Sequence, residues 1–198
     1  MEKSSMSLNT VFVDCETTGL DPESCAIIQL AAIRKDGTTF VKNLQPHPGA
    51  VIVDKALQVN GMTREQLLIF PTSDIVAKEF LEFLRPQAPK IILAGHNVIA
   101  FDVPFLKALY RRLNLLSEFE SLIHFEYFAS LALAMALNEA GIMQTQRGWL
   151  RLSDLTQALG VTNEKSHDAM GDIRATKHCY EKMLQLMKPN PVAQGSLV

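Results

Sequence analysis

Asp14 and Glu16 close an apolar run, Val11-Phe12-Val13-Asp14-Cys15-Glu16, that breaks into Thr17-Thr18-Gly19. A short run rich in β-branched and aromatic residues and stopped by glycine reads as a buried strand. Side chains on a strand alternate faces, so both carboxylates emerge together while Cys15 turns into the core. Like charges held that close raise each other's pKa unless a cation lies between them. Metal binding is therefore the chemistry such a pair serves, although a D-x-E triplet on its own also arises by chance on solvent faces.

Two more segments carry acids in informative places. In His96-Asn97-Val98-Ile99-Ala100-Phe101-Asp102, the aspartate follows an apolar run, Ile91 to Ala94, and precedes a helical pattern. Two readings stand for Asp102: a cap on the helix N–H groups, or a site residue beyond a strand end, where α/β sheets gather ligands. In His167-Asp168-Ala169-Met170-Gly171-Asp172, the last aspartate shares a helical stripe with Ala169, Thr176, Cys179, Tyr180 and Met183. That stripe should pack on the sheet, and a carboxylate on it needs a partner because an unpaired buried charge is very costly. Asp168 reads as a favourable charge at a helix N-terminus.

The elements that must position these groups follow from the pattern. Ala26 to Ile33 and Thr39 to Leu44 flank the turn Lys35-Asp36-Gly37, which predicts an antiparallel hairpin continuing from the first strand. Asp54 to Leu68 predicts two short helices broken at Asn60-Gly61. Ser73 to Leu84 predicts a firmer one between Pro71-Thr72 and Pro86. Ile91 to Ala94 reads as a central strand buried on both faces, and Val103 to Leu113 as a helix with Pro104 in its first turn. Phe125 to Phe128 suggests a further strand leading into a helix through Leu137, and Gly141 to Arg151 a loop. Ser153 is expected to cap a short helix ending at Gly160, and Asp168 to Met187 to form the last long helix. The chain reads as one α/β layered domain, residues 9–187, between a flexible N-terminus (1–8) and a flexible tail (188–198).

Composition narrows the class. A chain of 198 residues with 47% hydrophobic and 20% charged residues can bury a sizeable core. A formal net charge of -2 argues against charge-driven coating of nucleic acid or membrane, but is compatible with an enzyme whose acids are neutralised locally by metal. Three scattered cysteines without paired spacing point to a reducing compartment. The polar start lacks a signal-peptide core and Leu131 to Leu137 is too short to span a bilayer. No membrane association is expected, and the expected location is the cytoplasm.

D-x-E on a first strand, H-N-x(3)-F-D before a helix and H-x-A-x-x-D opening a terminal helix occur in order. Together with Asn60-Gly61-Met62-Thr63 they resemble the DEDDh 3′→5′ exonuclease family over roughly Val11 to Met187. The resemblance implies a ribonuclease H-like fold: a five-stranded mixed sheet, three strands antiparallel, flanked by helices. It implies that Asp14, Glu16, Asp102 and Asp172 hold two Mg²⁺ or Mn²⁺ ions, hard cations suited to oxygen ligands. Asp14 would bridge both, Glu16 and Asp172 would complete one site, and Asp102 would act largely through water. His167 would be the general base. The backbone of Thr17-Thr18-Gly19 would approach the terminal sugar, where Gly19 permits a tight turn, Leu20 would wedge against the terminal base and Phe101 would offer a stacking face. For Leu20 and Phe101 the rival reading is core filling. His96 and Asn97 either line the strand path or cap local backbone. Arg111, Arg112, Arg147 and Arg151 are candidates for phosphate contacts, with ordinary solvated charge as the alternative.

The three residues between Asn97 and Phe101 are similar to the TREX-like branch, and Phe128-Ala129-Ser130 stands where many relatives have Asp-Thr. The implied substrate is a nucleic acid with a free 3′ end. DNA is the leading reading, RNA trimming the alternative, and an inactive binding module the third. A replication or repair protein is a further possible partner, and monomer and homodimer are both open. Gln194-Gly195-Ser196-Leu197-Val198 loosely resembles the Q-L-S-L-F peptide that docks on bacterial sliding clamps, with glycine and valine in place of two anchors.

Overall fold

The computed structural model describes residues 9–85, 90–145, 150–163 and 168–188. His167, Arg147 and the clamp-like tail peptide lie outside them. The elements run β1 (Thr10–Thr17), β2 (Ile27–Arg34), β3 (Thr39–Asn43), α1 (Asp54–Asn60), α2 (Arg64–Ile69) and α3 (Ser73–Leu84). Then come β4 (Ile92–Gly95), α4 (Asp102–Arg112), α5 (Leu116–Leu122), β5 (Phe128–Ala129), α6 (Ser130–Glu139), α7 (Leu152–Leu159) and α8 (Ala169–Leu186). The strands form one sheet of order β3-β2-β1-β4-β5. β1 to β3 pair antiparallel, and β4 and β5 run parallel to β1. The expected five-stranded mixed sheet of the ribonuclease H-like type, with helices against it, is what the chain forms.

The alternation of β1 divides the core into two layers. Val11, Val13 and Cys15 pack with Val76, Phe80 and Leu84 of α3 and Phe105, Leu106 and Tyr110 of α4. Phe12 faces the other way, against Ala31, Ile33, Ala94 and the first turns of α8 through Ala169, Met170 and Ile173. Burial of these residues on both faces fixes the register, because a slip of one would move every side chain to the wrong layer. It also dictates that Asp14 and Glu16 share the α8 side with Phe12. A smaller cluster around Ala134, Leu137, Leu155, Cys179 and Met183 seats α6 and α7 on the second half of α8.

Local chemistry explains the joints. The β2–β3 turn closes with Arg34 N–H on Thr38 O at 2.9 Å, with Gly37 at φ 91°. Thr63 and Gln66 form a reciprocal capping box that starts α2. Ser153 does not cap α7: the cap is Arg151, two residues earlier, and Asp154 accepts the Arg151 N–H at 3.1 Å, placing Ser153 inside. The expected strand at 125–128 contracts to Phe128–Ala129, and Phe125 is exposed. Cys15, Cys25 and Cys179 are buried and unbridged. No helix among the described residues is long and apolar enough to cross a membrane.

Candidate active site

Because β4 and β5 run parallel to β1, the carboxyl ends of all three strands meet at one edge of the sheet. Asp14 and Glu16 lie near the end of β1, next to an irregularity in pairing between Glu16 and Thr17. Met170 and Ile173 press the start of α8 onto the same face, which carries Asp172 to the pair. Carboxylate oxygens of Asp14, Glu16 and Asp172 all lie within 4.8 Å of one another.

Asp102 reaches the centre differently. Phe101 holds the N-cap position of α4 without a side-chain bond, and Asp102 is the first helical residue. Its buried carboxylate crosses to β1 and accepts the Cys15 N–H at 2.9 Å. The helix-cap reading is thereby replaced by a link that ties α4 to the strand carrying the other acids. Gly95, at the end of β4, leaves room for β1 and for the turn into α4, since a Cβ there would fall 2.8 Å from Val13 O and 2.9 Å from Val98 Cβ.

The electrostatics are those of anions packed together. Burial pushes the Asp14 carboxyl well above the usual carboxylate range, and the charges of Asp102, Glu16, Asp172 and Asp168 push it further. Burial, then Asp172, Asp102 and Asp168, raise Glu16 to about 7. Burial also raises Asp102 to about 7, against the lowering effect of the Cys15 N–H. Converging oxygens that resist ionisation are suited to a hard divalent cation, whose charge would reverse these shifts.

Beside Glu16 a cavity of about 600 Å³ is lined by Leu20, Val53, Val59, Asn60 and Phe101. Leu20 is 85% exposed, so its core-filling reading is excluded. Phe101 packs on Phe105 at 5.0 Å between ring centroids and also lines the cavity. The hydroxyls of Thr17 and Thr18 are spent on the loop itself, donating to Gly19 O at 2.6 Å and Val51 O at 2.7 Å. Gly19 is required for space rather than for a positive φ: a Cβ there would stand 2.5 Å from Cys25 Sγ and 3.0 Å from Val53 Cγ2. Gly19→Ala is expected to cost about 1–3 kcal/mol, the usual penalty of overpacking. Urea unfolding would show this as a lower midpoint with an unchanged slope.

Other sequence candidates make local contacts within the fold. His96 bridges β4 to its neighbours, with Nε2–H donating to Leu150 O at 3.0 Å and Nδ1 at 3.1 Å from Ser130 Oγ. Burial lowers its pKa, which keeps the ring neutral. Asn97 is exposed, and its carbonyl accepts from Ala100 and Phe101 N–H, shaping the turn into α4. Arg112 donates to Pro22 O and Glu23 O, and Arg111 pairs with Glu23 at 2.8 Å, so both clasp the loop behind Leu20. Arg151 supplies the backbone cap of α7.

Gln29 and Asn163 were not anticipated, and Asn60 was noted only as part of the Asn60-Gly61-Met62-Thr63 turn. Gln29, directly opposite Glu16 across the ladder, accepts the Ala169 N–H at 2.9 Å and so seats the start of α8. Its signal was available: it is the one amide inside the apolar run Ile27 to Ile33. Asn163 donates to Asp172 Oδ1 at 2.6 Å, and Asn60 donates to Thr17 O at 3.0 Å. Asn60 closes α1, and Asn163 lies in the loop after α7, where an asparagine is too common to single out by type.

Comparison with known proteins gives a consistent picture. The RNase_T exonuclease family model matches residues 11–180. The DNA polymerase III PolC-type protein of Thermotoga maritima is 29% identical over 180 residues, which cover 90% of this chain and 12% of that protein. The PolC-type protein of Staphylococcus aureus is 27% identical over 90% of this chain and 11% of its own length. The chain thus spans about an eighth of the curated relatives it matches. E. coli exonuclease I in complex with a 5cy-dT13 oligonucleotide has the same fold, with a TM-score of 0.77 at 23% identity, over 93% of this chain and 42% of that one. The zinc-bound form of its complex with single-stranded DNA gives 0.76 at 22% identity, over 92% and 42%.

Proposed function

The chain belongs to the RNase_T exonuclease family, and from that premise we propose that it hydrolyses DNA from the 3′ end and releases 5′-mononucleotides. The observation that carries this reading is the convergence of Asp14, Glu16 and Asp172 beside the cavity between Leu20 and Phe101. An acidic centre next to a nucleotide-sized apolar cleft suits a reaction confined to the last nucleotide. DNA is favoured over RNA because solved neighbours of this fold include complexes with single-stranded DNA and the sequence relatives named above are DNA polymerase III PolC-type proteins.

In this reading Asp14, Glu16 and Asp172 hold two Mg²⁺ or Mn²⁺ ions directly and Asp102 acts through water. When bound, such ions supply charge stabilisation for an in-line displacement at phosphorus. Leu20 wedges the terminal base away from its neighbour, and Phe101 stacks against it. Asn60 braces the Thr17 carbonyl, so the backbone facing the terminal sugar is held rigid. His167 takes the proton of the attacking water, the P–O3′ bond of the penultimate nucleotide breaks, and the released nucleotide keeps its 5′-phosphate.

The test is a digestion of 5′-labelled single-stranded DNA, duplex DNA and RNA in Mg²⁺. A ladder shortening by single nucleotides, fastest on single-stranded DNA, is the expected result. Immediate loss of the label, or internal fragments, would remove the proposal; faster RNA degradation would transfer it to RNA trimming.

A further inference from the structure

Glu16, Gln29 and Asn43 stand directly opposite one another on β1, β2 and β3 and form one row across the sheet. Partners in such a row share a face, so Gln29 points to the α8 side together with Glu16. It is the single polar residue in the buried run Ile27 to Ile33 and is 8% exposed. Both ends of its amide are engaged: Oε1 accepts the Ala169 N–H at 2.9 Å, and Nε2 donates to Asn43 Oδ1 at 2.8 Å. The orientation of the amide follows from chemistry, because a backbone N–H can only donate and so selects the oxygen. Ala169 is the first residue of α8, and its N–H is one of the donors that a helix leaves unpaired at its start. Asp168 takes up another of them by accepting the Gly171 N–H at 3.1 Å. The start of α8 is thus fixed to the sheet by a bond from β2 as well as by the packing of Met170 and Ile173.

We propose that Gln29 is a positioning residue for Asp172, setting through the start of α8 how tightly the acidic centre holds its divalent cations. The proposal rests on the exonuclease reading above, in which Asp14, Glu16 and Asp172 are the direct ligands. Asp172 follows Ala169 by three residues, so only about 4.5 Å along the helix axis separates it from the residue that Gln29 holds. A shift of the helix start would carry Asp172 with it, while Glu16 stays on the strand. Carboxylate oxygens of Asp14, Glu16 and Asp172 already lie within 4.8 Å of one another. Mg²⁺ takes oxygens at about 2.0–2.1 Å in a nearly ideal octahedron, so a small displacement of one ligand weakens the site. Asn163, which donates to Asp172 Oδ1 at 2.6 Å, orients the carboxylate itself; Gln29 sets where the helix presents it. The side-chain type matters too. A glutamine opposite Glu16 offers α8 an acceptor without adding negative charge, whereas an apolar residue would bury the Ala169 N–H unpaired.

The experiment measures Mn²⁺ binding to the full chain by electron paramagnetic resonance of the free ion, with no nucleic acid present. The parent is compared with Gln29→Met, a side chain of similar length that can neither accept from Ala169 nor donate to Asn43. The expected result is a Mn²⁺ Kd raised by about tenfold, the low end of the range for losing a group that orients a metal ligand. In turnover, the Mg²⁺ concentration giving half the maximal rate rises in parallel, while KM for DNA at saturating Mg²⁺ is unchanged. Two further variants separate positioning from a merely structural role. Gln29→Glu keeps an acceptor for the Ala169 N–H, with Asn43 turning its amide to donate, and restores Mn²⁺ affinity to the parent level or above it. In an Asp172→Asn background, Gln29→Met adds much less than its full effect, because the ligand it positions is already lost. Equal affinity in parent and Gln29→Met would overturn the proposal, as would failure of Gln29→Glu to restore binding or a full loss repeated without Asp172. Should Gln29→Met not fold, Asn43→Ala carries the test by removing the partner that holds the amide: a raised Kd supports positioning, and an unchanged one removes it. Binding is read without substrate, so a chain that binds Mn²⁺ but leaves DNA intact still tests Gln29. A parent that binds no Mn²⁺ removes both the metal centre and this proposal.

Discussion

Asp14→Asn is expected to abolish turnover in Mg²⁺ while raising the melting temperature of the metal-free protein. Asp14 is central to the acidic centre: its oxygen lies within 4.8 Å of those of both Glu16 and Asp172, and it feels Asp102 as well. An amide has one oxygen and no charge, so the proposed shared ligand is removed. The same change relieves repulsion that the folded chain otherwise has to bear. The sign follows from linkage. Asp14, Glu16 and Asp102 have raised pKa values in the folded state, the latter two at about 7. The folded state therefore holds more protons than the unfolded one above the ordinary carboxylate range near pH 4. Stability of the metal-free protein should be greatest below that range and fall as pH rises through about 7, where Glu16 and Asp102 ionise. The Asp14→Asn substitution flattens that decline, and each kcal/mol relieved appears as about 2–4 °C in Tm for a chain of this length. Chelator should stop the parent enzyme completely and steepen its loss of stability with pH. Melting curves at pH 5 and pH 8, with and without Mg²⁺, beside a rate assay, check all of this. An active Asp14→Asn protein, or one that melts lower than the parent at pH 8 in chelator, would remove Asp14 from the centre.

Much of the site was legible because two periodicities carried it. Period two on β1 put Asp14 and Glu16 together and Cys15 opposite. The helical stripe of α8 put Asp172 on the face with Ala169 and Cys179. What these periods cannot express is a contact between elements distant in sequence. Asp102 reads as an N-cap or a site residue with equal weight, and only the meeting of α4 with β1 shows its carboxylate spent on the Cys15 N–H. His96 is the reverse case: a histidine beside an acidic motif suggests a strand path, yet Ser130 and Leu150 close around both ring nitrogens.

The fold shows the same boundary. α5 is not among the expected elements although its sequence carries a short helical repeat: Leu116, Phe119 and Leu122 recur every three residues, with Phe119 buried and the two leucines packed against the core. β5 is a two-residue parallel edge, Ala94 to Phe128 and Gly95 to Ala129, shorter than any alternation signal. Gly19 reads from its neighbours as a turn glycine, but its constraint is the approach of Cys25 Sγ, six residues away in sequence. Local propensity describes elements; close packing between them has to be seen.

His167→Ala is expected to cut the rate by about 10²–10⁴, the range for losing a general base, with little change in metal affinity. In the sequence the histidine stands between Asn163, which donates to Asp172, and Asp168, which caps α8. In the parent, log rate should rise with pH and level off above an apparent pKa near the ordinary value of about 6.5, because only the neutral imidazole accepts a proton. The carboxyls at about 7 complicate this at low metal, since their ionisation also governs cation binding. Saturating Mg²⁺ separates the two effects: bound cations pull the carboxylates down out of the range, and the remaining limb belongs to the base. The measurement is a pH–rate profile at several Mg²⁺ concentrations for parent and variant. Loss of the limb in His167→Ala, with added imidazole restoring part of the rate, identifies the histidine as the proton acceptor. A variant with the same limb at saturating metal would transfer that role to another group.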